Sequence, residues 1–192
     1  MAQLQREDKV SLNAKKFNMW IFVFTSAMLF LAFCSAFIVY TGSGKNRQLN
    51  MTLPSVFIYS TLVIVMSSVT MWLASRAVKQ LDFSKQRLFL WLTFGLGIVF
   101  MVLQFEAWMT LISQQIYFIN PNASRSFIYV FTFVHLLHIL IGLVLILNTI
   151  VVSVRNRPQV YSQFKTQTTS IFWHFVGLLW IYLYIFLLLN QH

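Results

Sequence analysis

Five apolar stretches, each about as long as a bilayer core is thick, leave this chain few folds to choose from. A helix needs about 20 apolar residues to cross a hydrocarbon core of roughly 30 Å. Residues 17–40, 55–74, 88–113, 127–152 and 170–189 meet that length. Backbone N–H and C=O groups must find partners within the chain in lipid, so spans of this kind are helices. The expected fold is all-α, a single membrane domain over residues 1–192 with five transmembrane helices. Gly42, Gly44 and Pro54, then Asp82, Asn120-Pro121-Asn122 and Pro158, mark the connectors. Only 9% of residues are charged, far below the quarter usual in soluble domains. The polar opening, residues 1–16, lacks the short apolar core and small-residue cleavage site of a signal peptide, so the first span is expected to be retained.

The net charge of +10 reads as topology. Eleven Lys and Arg residues fall on one side of the five spans and three on the other. The positive-inside rule then places the N-terminus in the cytoplasm and the C-terminus outside. There is no dense basic run of the kind that binds nucleic acid, and the lone Cys34 gives no disulfide framework.

Ionisable side chains inside a span are costly and mark candidate sites. Glu106 is the one carboxylate within a span. Counting helical rise from the cytoplasmic ends puts Glu106 roughly 27 Å deep, His135 about 25 Å and His138 about 21 Å. A Glu106–His135 contact with Gln104 nearby is one expectation; Glu106 reaching alone to the outer interface is the other. With a fifth span starting at Ser170, His174 would lie only about 6 Å deep, beside Trp173 at the interface. A haem held by two histidines of facing helices needs ligands at similar depth. His138 and His174 differ by roughly 15 Å in this bookkeeping, which disfavours a haem-b anchor or cytochrome. A small transporter would want more carboxylates or broken helices. A structural subunit without its own cofactor remains.

The run from Thr132 through His135 and His138 to Gly142, and the run from Phe172 through Trp173 and His174 to Trp180, together resemble the haem–copper oxidase subunit III family of cytochrome c and quinol oxidases. The fourth span carries Thr132-Phe133-Val134-His135-Leu136-Leu137-His138 and then Gly142; the fifth carries Phe172-Trp173-His174-Phe175-Val176-Gly177-Leu178-Leu179-Trp180. Upstream, Leu96-Gly97-Ile98-Val99-Phe100 with Gln104 and Trp108, and the run from Asn120 to Tyr129, resemble the same family. The resemblance covers about residues 18–189 and fits the five-helix bacterial form. Four positions depart from its pattern: Ser26 stands for a buried Glu, Phe133 for Gly, Phe172 for Tyr and Gly177 for Asp. Loss of the two acids argues against a proton-uptake role tied to them.

The resemblance implies a non-catalytic subunit of a respiratory terminal oxidase, which reduces dioxygen to water and translocates protons. It would reside in the bacterial cytoplasmic (inner) membrane. Haem and copper would be in partner subunits, with no catalytic, cofactor or metal residues in this chain. It implies packing on subunit I, association with subunit II and other respiratory-complex subunits, and bound phospholipid. It further implies two bundles, helices 1–2 and 3–5, around a lipid-filled V-shaped cleft. Gln104, Glu106, Trp108, His135, His138, Trp173, His174 and Trp180 are the expected structural motif residues. Arg76, Arg87, Arg155, Trp173 and His174 are candidate lipid head-group contacts.

Overall fold

The computed structural model describes residues 2–44, 54–116, 118, 123–154 and 159–190, with side chains from residue 14 onward in the first helix and from 161 in the last. It contains α1 (Ala2–Gly42), α2 (Val56–Lys79), α3 (Phe83–Ser113), α4 (Ala123–Val154) and α5 (Gln159–Leu189). All five are long and apolar enough to cross a membrane.

α3 shows why this sequence makes a bundle. Its buried residues are Gln86, Leu90, Thr93, Gly97, Phe100, Gln104, Ala107 and Leu111, stepping by four and three in strict alternation. α2 repeats the pattern with Phe57, Ser60, Ile64, Ser67, Met71, Ala74 and Val78. A 3.5-residue period keeps one stripe of each helix facing its neighbour. Small residues recur in both stripes, and in lipid it is close packing of this kind that holds helices together.

α2 lies along α3 and α5, α4 along α3 and α5, and α1 along α4 and α5. This corrects the expected division into helices 1–2 against 3–5: α2 belongs with α3, and α1 is the outlying helix. The reason is local. α1 meets the rest through an aromatic ladder, with Phe22 on Phe172 (5.8 Å between ring centroids), Phe30 on His138 (5.4 Å) and Phe37 on Phe127 and Phe186 (5.8 and 5.5 Å). Among the described residues no such ladder joins α1 to α2, whose small-residue stripe suits α3 instead.

The α2–α3 connection is three residues, Gln80 to Asp82. The Asp82 N–H donates to the Ala77 carbonyl and the Leu81 N–H to that of Val78. This is a Schellman closure with Leu81 at φ 65°, a position that favours glycine. α3 ends the same way: the Ile116 N–H donates to Leu111 and that of Gln115 to Ile112, with Gln115 at φ 60°. Leu81 is half exposed, so its side chain contributes little packing. Leu81→Gly is therefore expected to stabilise the protein by about 1 kcal/mol, by removing the left-handed strain. Thermal unfolding in mild detergent measures this, and a lowered midpoint would contradict it.

Asp82 also caps α3. Its carboxylate accepts from the Lys85 N–H (3.1 Å) and pairs with the Lys85 ammonium (2.9 Å). These bonds from Lys85 hold the carboxyl below its ordinary value. A depressed folded value means the cap's contribution is present above the unfolded value and is lost as pH falls through the folded one.

Candidate functional site

The histidines and tryptophans of the two motif stretches form a polar seam inside the bundle. Trp173 on α5 sits near the middle of three other helices. Its indole N–H donates to Ser67 Oγ on α2 at 3.0 Å. Its ring fills the space left by two glycines. A Cβ on Gly97 of α3 would lie 2.9 Å from Trp173 Cη2, and one on Gly142 of α4 would lie 2.9 Å from Cε3 and Cζ3. Two turns on, Trp180 donates to Thr61 Oγ1 of α2 at 3.1 Å and stacks on Phe57 at 5.7 Å. Trp108 of α3 donates to Thr132 Oγ1 of α4 at 2.9 Å. Each of these indoles thus ties its helix to a hydroxyl of another, which a buried N–H requires.

His138 ties α4 to α1. Its Nδ1 is 2.8 Å from the Val134 carbonyl and its Nε2 3.2 Å from Ser26 Oγ. A carbonyl can only accept, so Nδ1 carries the proton, and in the neutral imidazole Nε2 accepts from the Ser26 hydroxyl. Ser26 is the position where the resemblance expects Glu; here a neutral hydroxyl meets the histidine. Gly177, where it expects Asp, similarly faces a serine: a Cβ there would meet Ser68 Oγ at 3.0 Å.

His135 shares the helix face of His138 but not its bonding. It is completely buried, and neither ring nitrogen has a hydrogen-bond partner among the described residues. Its ring is walled by Trp180 (5.1 Å), Phe100 (5.8 Å) and Phe30 (6.5 Å). Gln104 is equally buried, with both amide atoms without partners. The expected Glu106–His135 pairing is not formed. Glu106 lies on the exposed side of α3. It stands two positions on from Gln104, a rotation of about 200° around a 3.6-residue turn, so the two side chains leave opposite faces. Depth was shared; direction was not.

His174 is also displaced from expectation. α5 begins at Gln159, so His174 stands roughly 22 Å along it. Trp173 faces Gly142, and Trp180 faces His135. That antiparallel register puts His174 opposite Ile141, about 5 Å from the level of His138 rather than 15 Å. That register sets both His174 and Trp173 nearer the level of His138 than the expected depths did. The two histidines still serve different spaces. Both nitrogens of His138 are engaged toward α1 and its own helix, whereas His174 lines an open groove of about 430 Å³ between α2 and α5 with Ser68, Trp72 and Leu178. Among the described residues, no three His, Cys, Asp or Glu side chains gather as metal ligands would.

Sequence reasoning missed a second polar layer. Gln86 on α3 donates to Thr166 Oγ1 of α5 (2.8 Å) and accepts from Ser153 of α4 (3.4 Å). Thr149 and Thr169 pair at 2.9 Å, and Gln163 reaches the Val78 carbonyl at 3.5 Å. The signal was the Ser/Thr/Gln run from Ser162 to Ser170 ahead of an apolar helix. Of the arginines, Arg76 is exposed with its guanidinium 5.3 Å from the Trp72 ring, Arg87 is half-buried, and Arg155 lies outside the described residues.

The family model described as cytochrome c oxidase subunit III matches residues 5–190. Subunit 3 of the cytochrome bo(3) ubiquinol oxidase of Buchnera aphidicola (subsp. Acyrthosiphon pisum, strain APS) is 27% identical, over 95% of this chain and 90% of that protein. Cytochrome c oxidase subunit 3 of Thermostichus vulcanus is 29% identical, over 85% of this chain and 81% of the relative. The protein of the same name from Bacillus subtilis (strain 168) is 26% identical, over 92% and 87%.

Proposed function

Because this chain belongs to the cytochrome c oxidase subunit III family, we propose that it packs on the haem–copper subunit I of a bacterial respiratory oxidase, stabilising the complex and holding phospholipid. It is a multi-pass membrane protein and a non-catalytic subunit of a terminal oxidase. Its place is the bacterial cytoplasmic membrane, with the N-terminus inside as the basic residues indicate. Subunit II and further respiratory-complex subunits complete the assembly, and dioxygen is reduced at metals held by the partners. The family match across nearly the whole chain carries this reading. The seam fits it: every indole of the motif, and His138, is committed to fastening helices to each other. Affinity purification of the tagged chain in mild detergent tests it. A haem–copper polypeptide at equal stoichiometry is expected; the chain alone with its own haem spectrum would overturn the reading.

For phospholipid, the groove between α2 and α5 is the favoured place, in preference to a cleft between two bundles. Val65, Val69, Trp72 and Leu178 line it for an acyl chain, and Arg76 stands over Trp72 where a phosphate would need a cation. Arg76→Gln is expected to lower the phospholipid that co-purifies per complex by about the equivalent of one anionic contact, roughly fivefold in occupancy at 1 kcal/mol. Quantitative lipid mass spectrometry reads this, and unchanged lipid content would count against the site.

A further inference from the structure

Gln104 and His135 present four polar atoms, Nε2 and Oε1 of one and Nδ1 and Nε2 of the other, all buried and all without a partner among the described residues. Buried polar groups are hydrogen-bonded in the great majority of cases, and each one left unmade costs about 1–3 kcal/mol. Four unmet atoms within one small region are therefore a demand for a ligand.

The two residues belong to one region. Phe100 of α3 meets His135 of α4 at 5.8 Å between rings, and Trp108 of α3 bonds Thr132 of α4. Gln104 is one turn from both Phe100 and Trp108 on the buried stripe of α3. His135 is one turn from Thr132. The two contacts thus bracket Gln104 at the level of His135. The neighbouring polar side chains already have partners. Thr132 Oγ1 is already occupied by Trp108 and by the Ile128 carbonyl, and His138 by Ser26 and Val134.

We propose that Gln104 and His135 enclose a bound water molecule between α3 and α4, which bridges the amide and the imidazole. The chemistry selects a small neutral species. Phe30, Phe100 and Trp180 wall the imidazole, and His135 and Gln104 are both completely buried, which suits a ligand no larger than a water. The one carboxylate within a span, Glu106, leaves the opposite face of α3. The amide offers both donor and acceptor, and so does a neutral imidazole, so a water can satisfy either orientation. Buried waters make about three such bonds and are costly to remove.

The test is a high-resolution cryo-EM map of the protein purified with its co-assembling subunits. A density peak within hydrogen-bond distance of both the Gln104 amide and the His135 ring is expected. A direct Gln104–His135 bond with no peak between them would overturn the proposal. A double-mutant cycle provides the second measurement. Gln104→Leu and His135→Leu should each lower the unfolding midpoint, since each strands the other residue and its water. The double variant should lose clearly less than the sum, because it removes the whole polar set at once. Additive losses would show two independent sites and refute the bridge.

Discussion

Replacing Trp173 by alanine should lower the thermal unfolding midpoint of the purified complex by the equivalent of about 3 kcal/mol, while leaving the haem spectrum of its partners intact. Loss of a large buried aromatic ring costs about 3–5 kcal/mol in soluble cores, through lost transfer energy plus the cavity left behind. Between helices in lipid the transfer part shrinks, because acyl chains are as apolar as the core, and the packing part remains. The low end of the range is therefore expected. Trp173 is completely buried against Gly97, Gly142 and Ser67 of three other helices, so little can collapse into its place. The substitution also leaves Ser67 without its indole donor. Trp173→Phe separates the two effects: it keeps most of the ring, drops the hydrogen bond, and should cost only about 1 kcal/mol. Haem lost from the complex would show that the seam reaches the redox centres, contrary to a role confined to fastening helices. A midpoint unchanged in Trp173→Ala would show that the indole is not a packing centre at all.

The second large effect comes from the other side of the same contact. An added methyl at Gly142 would sit 2.9 Å from two ring carbons of Trp173 and 3.3 Å from Phe172 Cε1. Both rings are rigid and buried, so neither can swing away as a flexible chain end could. Gly142→Ala should destabilise by about 1–3 kcal/mol through overpacking. At Gly95, where nothing lies within 4 Å of the same added atom, Gly→Ala should instead stabilise by about 1 kcal/mol, as it does in open helix positions. The pair of glycines thus gives opposite signs from one chemical change. Denaturation in mild detergent reads both, and equal signs would sink the packing argument. Gly97→Ala should destabilise as Gly142→Ala does: the end of Leu143, at 2.7 Å, can move, but Trp173 Cη2 stands at 2.9 Å.

The spans were readable because hydropathy reports the one property that lipid demands. Each of the five apolar stretches falls on one helix that the structure extends at one or both ends, with only Ser55 standing ahead of α2 as its N-cap. The extension that displaced a candidate residue, α5 starting at Gln159 rather than near Ser170, escaped for a physical reason. Thr166 and Thr169 turn toward Gln86 and Thr149, so polar residues continue the helix while facing protein instead of lipid. That error moved His174 from the middle of the helix to its edge on paper. The Glu106 contact failed differently: depth constrains one coordinate of a residue on a helix, and the angle around the axis decides which neighbour it meets. The buried stripe of α3, already visible in Gly97, Phe100 and Gln104, held that angle. The family resemblance marked Ser26 as a departure, and only the packing of α1 on α4 showed that this serine still answers His138.

The three-residue closure between α2 and α3 has a further consequence for how the chain is made. Two helices joined so tightly cannot be threaded one at a time with a free segment between them; they must enter the bilayer as a hairpin. Arg76, Lys79, Lys85 and Arg87 flank that turn, so the hairpin keeps all four on one side of the membrane.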